Sequence, residues 1–238
     1  MADPRAAMTA LVEFQIRADE TNMDDWLDEW QKRAQDALEA EPETTAYAAA
    51  VSLDDESSVL IYERYAQGTA SLNFHVERPS HAELTETMGA RRMTKRRVMS
   101  LSCVDVPDFG WWGRDDNTRI QSGAIFSISA LRFGDDEQRS DAIRMSQEHA
   151  EYCWREEPDT LIYGGGIAVR DADRGPEIKQ GDFIFIMACT DLAAVEKHSQ
   201  DPRHLALGPV FAKTGIKTTF RFNKKYRTTG HGFLAKAV

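Results

Sequence analysis

Alternation is the first signal along this chain. Val12, Phe14 and Ile16 are apolar while Glu13, Gln15 and Arg17 are polar, which is the period of a half-buried strand. Leu27, Trp30, Ala34, Ala37 and Leu38 then recur at helical spacing. Thr21 or Asn22 suits the cap of that helix, Asp24 and Asp25 its first turn, and Pro42 its end. Thr44 to Leu53 reads as a strand, Asp54-Asp55-Glu56 as a turn and Ser58 to Tyr65 as a second strand. A helix from Thr69 to Met88, broken near Pro79, leads to a fourth strand near Arg97 to Val104. The order is strand, helix, strand, strand, helix, strand, the split ferredoxin-like unit.

The chain is written twice. Glu41-Pro42-Glu43-Thr44-Thr45-Ala46-Tyr47 recurs as Glu157-Pro158-Asp159-Thr160-Leu161-Ile162-Tyr163, and His75-x-x-x-Pro79-x-His81 recurs as His198-x-x-x-Pro202-x-His204. The second copy has extra residues between these motifs, at the turn-rich Asp171-Ala172-Asp173-Arg174-Gly175-Pro176. Near the start of each copy, Phe14-x-Ile16 is matched to Phe126-x-Ile128. Elements of the second copy are expected near 123–132, 139–157, 160–171, 181–190, 191–213 and 216–223.

Leu60-Ile61-Tyr62-Glu63-Arg64-Tyr65 has large side chains on both parities, so both faces of that sheet should be covered. The expected fold is therefore α+β. Two ferredoxin-like βαββαβ domains (8–106 and 122–227) pack their antiparallel sheets into an intramolecular α/β barrel. Residues 107–121 form a connector carrying Trp111 and Trp112, which either cap the barrel end or wall a pocket, and 228–238 form a tail.

Composition narrows the function classes. Hydrophobic residues make up 42% of 238, enough for a sizeable core. A net charge of −10 disfavours a nucleic-acid surface, and the basic run Arg91 to Arg97 fits a solvated helix end better than a phosphate site. No apolar run suits a membrane span, and the start has no signal pattern, so a cytoplasmic protein is expected. Cys103, Cys153 and Cys189 form no CxxC pair, which argues against a disulfide framework or a zinc site.

Tyr62-Glu63-Arg64-Tyr65, followed by His75-x-x-x-Pro79-x-His81, resembles the strand-then-helix signature of antibiotic biosynthesis monooxygenase domains, members of the dimeric α/β-barrel superfamily. The resemblance implies a tandem version, in which one chain supplies what two subunits usually supply. Relatives include cofactor-independent oxygenases of anthrones and quinols, haem-degrading enzymes, isomerases, polyketide cyclases and members without known activity. The second half departs from the signature: Phe185-Ile186-Met187-Ala188 carries no ionisable group, so a polar site on this strand would exist once.

Several chemistries are open to these residues. His75 and His81, six apart on one helix, would point in different directions, so hydrogen-bonded histidines at the helix–barrel seam are favoured over a metal pair. The position of the haem-degrading histidine aligns with Thr85 and Gly208; in a tandem haem protein His198 or His204 would be the axial ligand. No GxGxxG or Walker motif is present, so neither cofactor nor metal is assigned. What remains is a pocket inside the barrel for a flat hydrophobic ligand, with O2 as co-substrate. His75 is the candidate base. Arg64 would stabilise an enolate or phenolate, and Tyr62 shares its face. Trp26, Tyr65, His81, Trp111 and Trp112 are expected to contact substrate. The leading expectation is a cofactor-independent monooxygenase acting on an anthrone, quinol or polyketide-like aromatic. A cyclase or isomerase, and a non-catalytic ligand-binding or stress-response barrel, are the alternatives. Further homo-oligomerisation stays open. Arg33 and its aligned partner His149 are read as exposed, Trp30 as core, Tyr47 and Tyr163 as barrel closure, and His231 as tail.

Overall fold

In a computed structural model, residues 5–114 and 122–234 are described. The predicted connector between 115 and 121, and the end of the predicted tail from 235 to 238, lie outside the described residues. The first half comprises β1 (Met8–Ile16), α1 (Met23–Ala40), β2 (Thr44–Ser52), β3 (Ser58–Tyr65), α2 (Gly68–Glu77), α3 (Pro79–Ala90) and β4 (Thr94–Trp111). The second comprises β5 (Ser122–Phe133), α4 (Asp136–Glu156), β6 (Thr160–Ala168), β7 (Phe183–Cys189), α5 (Leu192–Gln200), α6 (Pro202–Thr214) and β8 (Thr218–Phe233). Local chemistry sets the helix starts. Asn22 accepts from the Asp25 amide, Asp135 from Gln138 and Asp191 from Ala194, while Pro79 and Pro202 each open a new helix and so split the second helical segment of each half.

The eight strands close into one antiparallel barrel in the order β1-β3-β2-β8-β5-β7-β6-β4. Each half keeps the ferredoxin-like order, and the halves join where the fourth strand of one pairs with the second strand of the other: β8 on β2 and β4 on β6. Both junctions use the same device. Gly232 (φ +86) and Gly110 (φ +64) hold left-handed conformations, and a Cβ there would lie 2.0 Å from the Tyr47 carbonyl oxygen and 1.8 Å from that of Tyr163. Only glycine allows that approach. His231 therefore sits in β8, not in a free tail, because this strand runs on to Phe233 to complete the junction.

The barrel interior is filled. Leu11, Leu60, Tyr62, Leu101, Phe126, Ile128, Ile184, Ile186 and Tyr226 pack there, with the Tyr62 and Phe126 rings 4.8 Å apart. Eight strands enclose a space that side chains alone can fill, which is why the expected chamber inside the barrel is replaced by a core. Helices cover the barrel's outer face, and a second apolar layer forms there from Trp26, Leu27, Trp30, Tyr47, Val59 and Ile61.

The register corrects one repeat match. Phe14 and Ile16 pack under the helices, whereas Phe126 and Ile128 point into the barrel, so the two pairs are not equivalent. A slip of one residue on a strand exchanges its faces. Pairing with the repeated tyrosines gives the true correspondence on the third strand of each half: Tyr47 lies opposite Glu63 and Tyr163 opposite Met187. The triple glycine of β6 is closely approached by side chains, with Trp112 over Gly164, Phe183 over Gly165 and Cys103 over Gly166. Among the described residues no helix is long and apolar enough to cross a membrane.

Candidate active site

A cavity of about 620 Å³ lies between the outer face of β1, β2 and β3 and the helices α1, α2 and α3. Trp26, Trp30, Tyr47, Glu63, His75 and His81 are in its wall. The strand period explains the set: Ile61 and Glu63 turn outward to the helices, while Leu60 and Tyr62 turn into the barrel. Trp30 donates its indole N–H to the Tyr47 hydroxyl at 3.0 Å, and Trp26 donates to Thr94 Oγ1 at 3.0 Å, so both rings are fixed at the wall.

Behind the wall is a buried charge network drawn from three elements. Arg33 of α1 donates to the Glu41 carboxylate and, at 3.0 Å, to the His75 carbonyl. Glu41, just beyond α1, accepts from Thr44 Oγ1 at 2.7 Å and lies 2.8 Å from His75 Nδ1. Glu41 only accepts, while an Arg33 guanidinium nitrogen 2.9 Å from the same Nδ1 only donates, so Nδ1 is the ring atom tied into the network and Nε2 is the one left toward the cavity. That Nε2 atom is buried and has no hydrogen-bond partner among the described residues. Burial alone would raise the Glu41 carboxyl, but the hydrogen bonds and charge of His75, with Thr44 and Arg33, outweigh it and hold the group at about 2. Removing one member of such a network strands a buried charge, which typically costs about 3–5 kcal/mol.

Two further groups face this network. Burial pushes the Glu63 carboxyl up, and Tyr65 donates to it at 2.6 Å. His81 opens α3 on a different axis from His75, so their rings meet edge to face at 5.6 Å. Burial, then the neighbouring His75 and Arg33, lower the His81 pKa below its ordinary value, which keeps the imidazole neutral near pH 7.

The second half repeats the frame with different surroundings. Thr160 donates to Glu157 at 2.9 Å, and His198 Nδ1 lies 2.8 Å from Glu157 Oε2. His149 stands where the first half has Arg33, Cys153 where it has Ala37, and Met187 where it has Glu63. Phe109, Phe183, Met187 and Tyr163 pack under these helices.

The expected site residues separate into two groups. His75, His81 and Trp26 come together at the sheet–helix cavity, and Tyr65 supports them through Glu63 and an edge contact with His75 at 5.6 Å. Tyr62 and Arg64 are on the opposite face of the strand. Tyr62 packs in the barrel core, and Arg64 pairs with Asp105 at 2.7 Å beneath Trp112, whose ring centre is 3.6 Å from the guanidinium carbon. They do not face the cavity, because Ile61 and Glu63 do. Trp111 stacks on Tyr163 at 5.4 Å and lines a shallow cleft of about 480 Å³ beside Trp154, away from His75. Arg33 and His149 are buried, not exposed: Arg33 reaches the His75 carbonyl on α2, and His149 contacts Cys153 one turn along α4 and the His198 ring of α5 at 5.4 Å. Arg33, Glu41 and Glu63 were absent from the expected site. The repeated Glu41-x-x-Thr44 and Glu157-x-x-Thr160 spacing was the available signal for one of them.

Residues 9–87, a third of the chain, match the family model described as antibiotic biosynthesis monooxygenase. This segment runs from β1 through most of α3 and contains the whole network. A structure from Lactobacillus acidophilus, provisionally named a monooxygenase, is similar with a TM-score of 0.69 at 11% identity, covering 98% of this chain and 100% of that one. A structure described as an anthrone oxidase-like protein is similar with a TM-score of 0.56 at 10% identity, over 100% and 99% of the two chains. One provisionally named a chlorite dismutase is similar with a TM-score of 0.57 at 11% identity, over 94% and 95%. At these identities the likeness is one of fold. No curated protein matches the chain.

Proposed function

We propose that the first half is a cofactor-independent monooxygenase site for an electron-rich aromatic substrate of the anthrone or quinol type. The observation that carries this reading is His75, whose Nδ1 is held by Glu41 and whose Nε2 is buried and unpartnered beside an aromatic-lined cavity. Trp26, Trp30 and Tyr47 offer faces for a flat ring. His75 Nε2 takes a proton from an activated methylene or phenol, and Glu41 stabilises the imidazolium that forms. The substrate anion gives an electron to O2, the pair recombine as a carbon-bound peroxide anion, and the His75 imidazolium returns its proton to give the hydroperoxide. Loss of water then leaves a carbonyl. One oxygen atom ends in product and the other in water, and the substrate supplies all four electrons, from its methylene or from a phenol's ring C–H and hydroxyl. The family match over residues 9–87 supports this class, as does the whole-chain likeness to the anthrone oxidase-like fold.

The test is oxygen uptake by the full chain with a panel of anthrones and hydroquinones. Uptake is expected with at least one of them, and His75→Ala should lower kcat/KM by about 10²-fold or more. Absence of uptake across the panel would refute the proposal. A second reading, an isomerase or cyclase, draws on Glu63, a buried carboxyl biased toward its protonated form and able to return a proton. It requires turnover without oxygen, which the first reading forbids.

A further inference from the structure

The second half holds a cluster that the proposed oxygenase does not use. His149 and Cys153 are four residues apart on α4 and so share one face. His149 Nε2 lies 3.4 Å from Cys153 Sγ, and His198 Nδ1, brought in by α5, lies 3.8 Å from the same sulfur. The three donor atoms all fall within 4.8 Å of one another, and all three side chains are buried. Tetrahedral zinc with Zn–S near ~2.3 Å and Zn–N near ~2.0 Å separates its ligand atoms by roughly 3.3–3.7 Å, so small adjustments would bring all three onto one ion.

We infer that His149, Cys153 and His198 form a binding site for a single divalent d-block cation of the zinc class, with Glu157 as its countercharge. The comparison between halves supplies the charge argument. In the first half, Arg33 neutralises the buried Glu41. In the second, His149 replaces the arginine, and the Glu157 carboxylate is paired instead with the imidazole of His198, whose Nδ1 lies 2.8 Å away. A divalent ion bound to one thiolate and flanked by one carboxylate restores neutrality.

Binding balances in protons. The Cys153 thiol, whose pKa burial raises, gives up its proton to solvent under the influence of the ion. His198 shifts its ring proton from Nδ1 to Nε2, freeing Nδ1 to ligate. The buried Nε2 has no partner at present, and the His204 ring lies 4.6 Å away with its own Nδ1 buried and unpartnered, so an acceptor is at hand. The soft sulfur and two imidazoles select zinc, cobalt or copper over magnesium or calcium. Three protein ligands leave a fourth position open.

The test uses the reduced full-length protein titrated with Co(II), a spectroscopic stand-in for zinc, followed by Zn(II) competition. One equivalent should bind with a thiolate-to-cobalt charge-transfer band and the intense visible absorption of tetrahedral cobalt, and zinc should displace it. Cys153→Ala should abolish the charge-transfer band. His149→Arg should weaken binding at least tenfold. The first half carries alanine and arginine at these two places, so both variants are expected to fold, as thermal melting will check. Absence of cobalt binding by the wild type, or a charge-transfer band retained in folded Cys153→Ala, would overturn the inference.

Discussion

The two halves share a Thr–Glu–His core and differ in what closes it. Around Glu41 and His75 stand Arg33, Glu63 and a cavity lined by indoles; around Glu157 and His198 stand His149, Cys153, Met187 and packed phenyl rings. The first arrangement satisfies its buried carboxylate within the protein and leaves one unpartnered imidazole nitrogen beside the cavity. Among the described residues, the second sets the His198 imidazole rather than a guanidinium against its carboxylate, and carries soft donors beside it. A duplicated frame can therefore keep its hydrogen-bonded skeleton and change chemistry through two positions on one helix face, Arg33/His149 and Ala37/Cys153. The orienting glutamate is common to both halves, so it alone does not define the activity.

The sharpest way to break this comparison is to remove the guanidinium. Arg33→Ala leaves Glu41 buried against His75 with its guanidinium partner gone, and should destabilise the protein by about 3–5 kcal/mol. His149→Ala, at the matching place, loses a weak contact to a thiol and should cost only about 1–2 kcal/mol. Urea unfolding of both variants measures the difference. Equal costs would mean that the two networks are energetically alike and that the charge argument for the second half fails.

The junction glycines test what the halves have in common. Gly110→Ala and Gly232→Ala each force a Cβ against a tyrosine carbonyl in a left-handed conformation, so each should destabilise by at least about 2 kcal/mol. Similar losses in both are expected, because both β-strand junctions are built the same way. If one substitution proves harmless, the barrel is not closed there as described.

The split between what was legible and what was not follows from these same residues. The helix cap at Asn22 and the break at Pro79 are local, and local pattern found them, whereas 191–213 read as one element that Pro202 in fact divides. The doubled motifs were enough to indicate two halves closing one barrel. Side-chain direction on β3 was harder, because Leu60 to Tyr65 are buried on both parities and hydrophobicity cannot tell core from cavity. Arg33 and His149 looked solvent-facing, since a charged residue on a helix usually is. Their burial depends on the second-helix histidines His75 and His198, partners that folding brings from distant segments.

Acidity separates two carboxyls of one site. Glu41 is held near 2, below its ordinary 4.5, so its contribution to stability is fully present above pH 4.5 and is lost as pH falls toward 2. Glu63 is raised by burial, so between its ordinary value and its folded value the native state binds more protons and stability falls as pH rises. Glu41→Gln should flatten the acid limb of the stability profile. Glu63→Gln should make the variant progressively more stable than wild type as pH rises from below 4.5 toward neutral. Thermal melts across pH 2–8 read both signs, and a wild-type-like slope in either variant would assign the titration to another group.

The smallest effect concerns the cavity wall. Trp30 and Tyr47 are joined by one buried hydrogen bond, and their rings are 4.6 Å apart. Trp30→Phe keeps most of the apolar surface but leaves the Tyr47 hydroxyl without its donor, a loss of about 1 kcal/mol. The matching tyrosine of the second half, Tyr163, instead packs with Trp111, Phe109 and Phe185. Trp111→Phe there breaks an indole hydrogen bond to the Leu161 carbonyl at 3.1 Å and should cost about as much. The two substitutions differ in what they do to ligand. Only Trp30→Phe should change the KM for an aromatic substrate, because only that ring borders the cavity beside His75. A KM shift in Trp111→Phe would place the ligand in the second half and reverse the assignment of roles between the two halves.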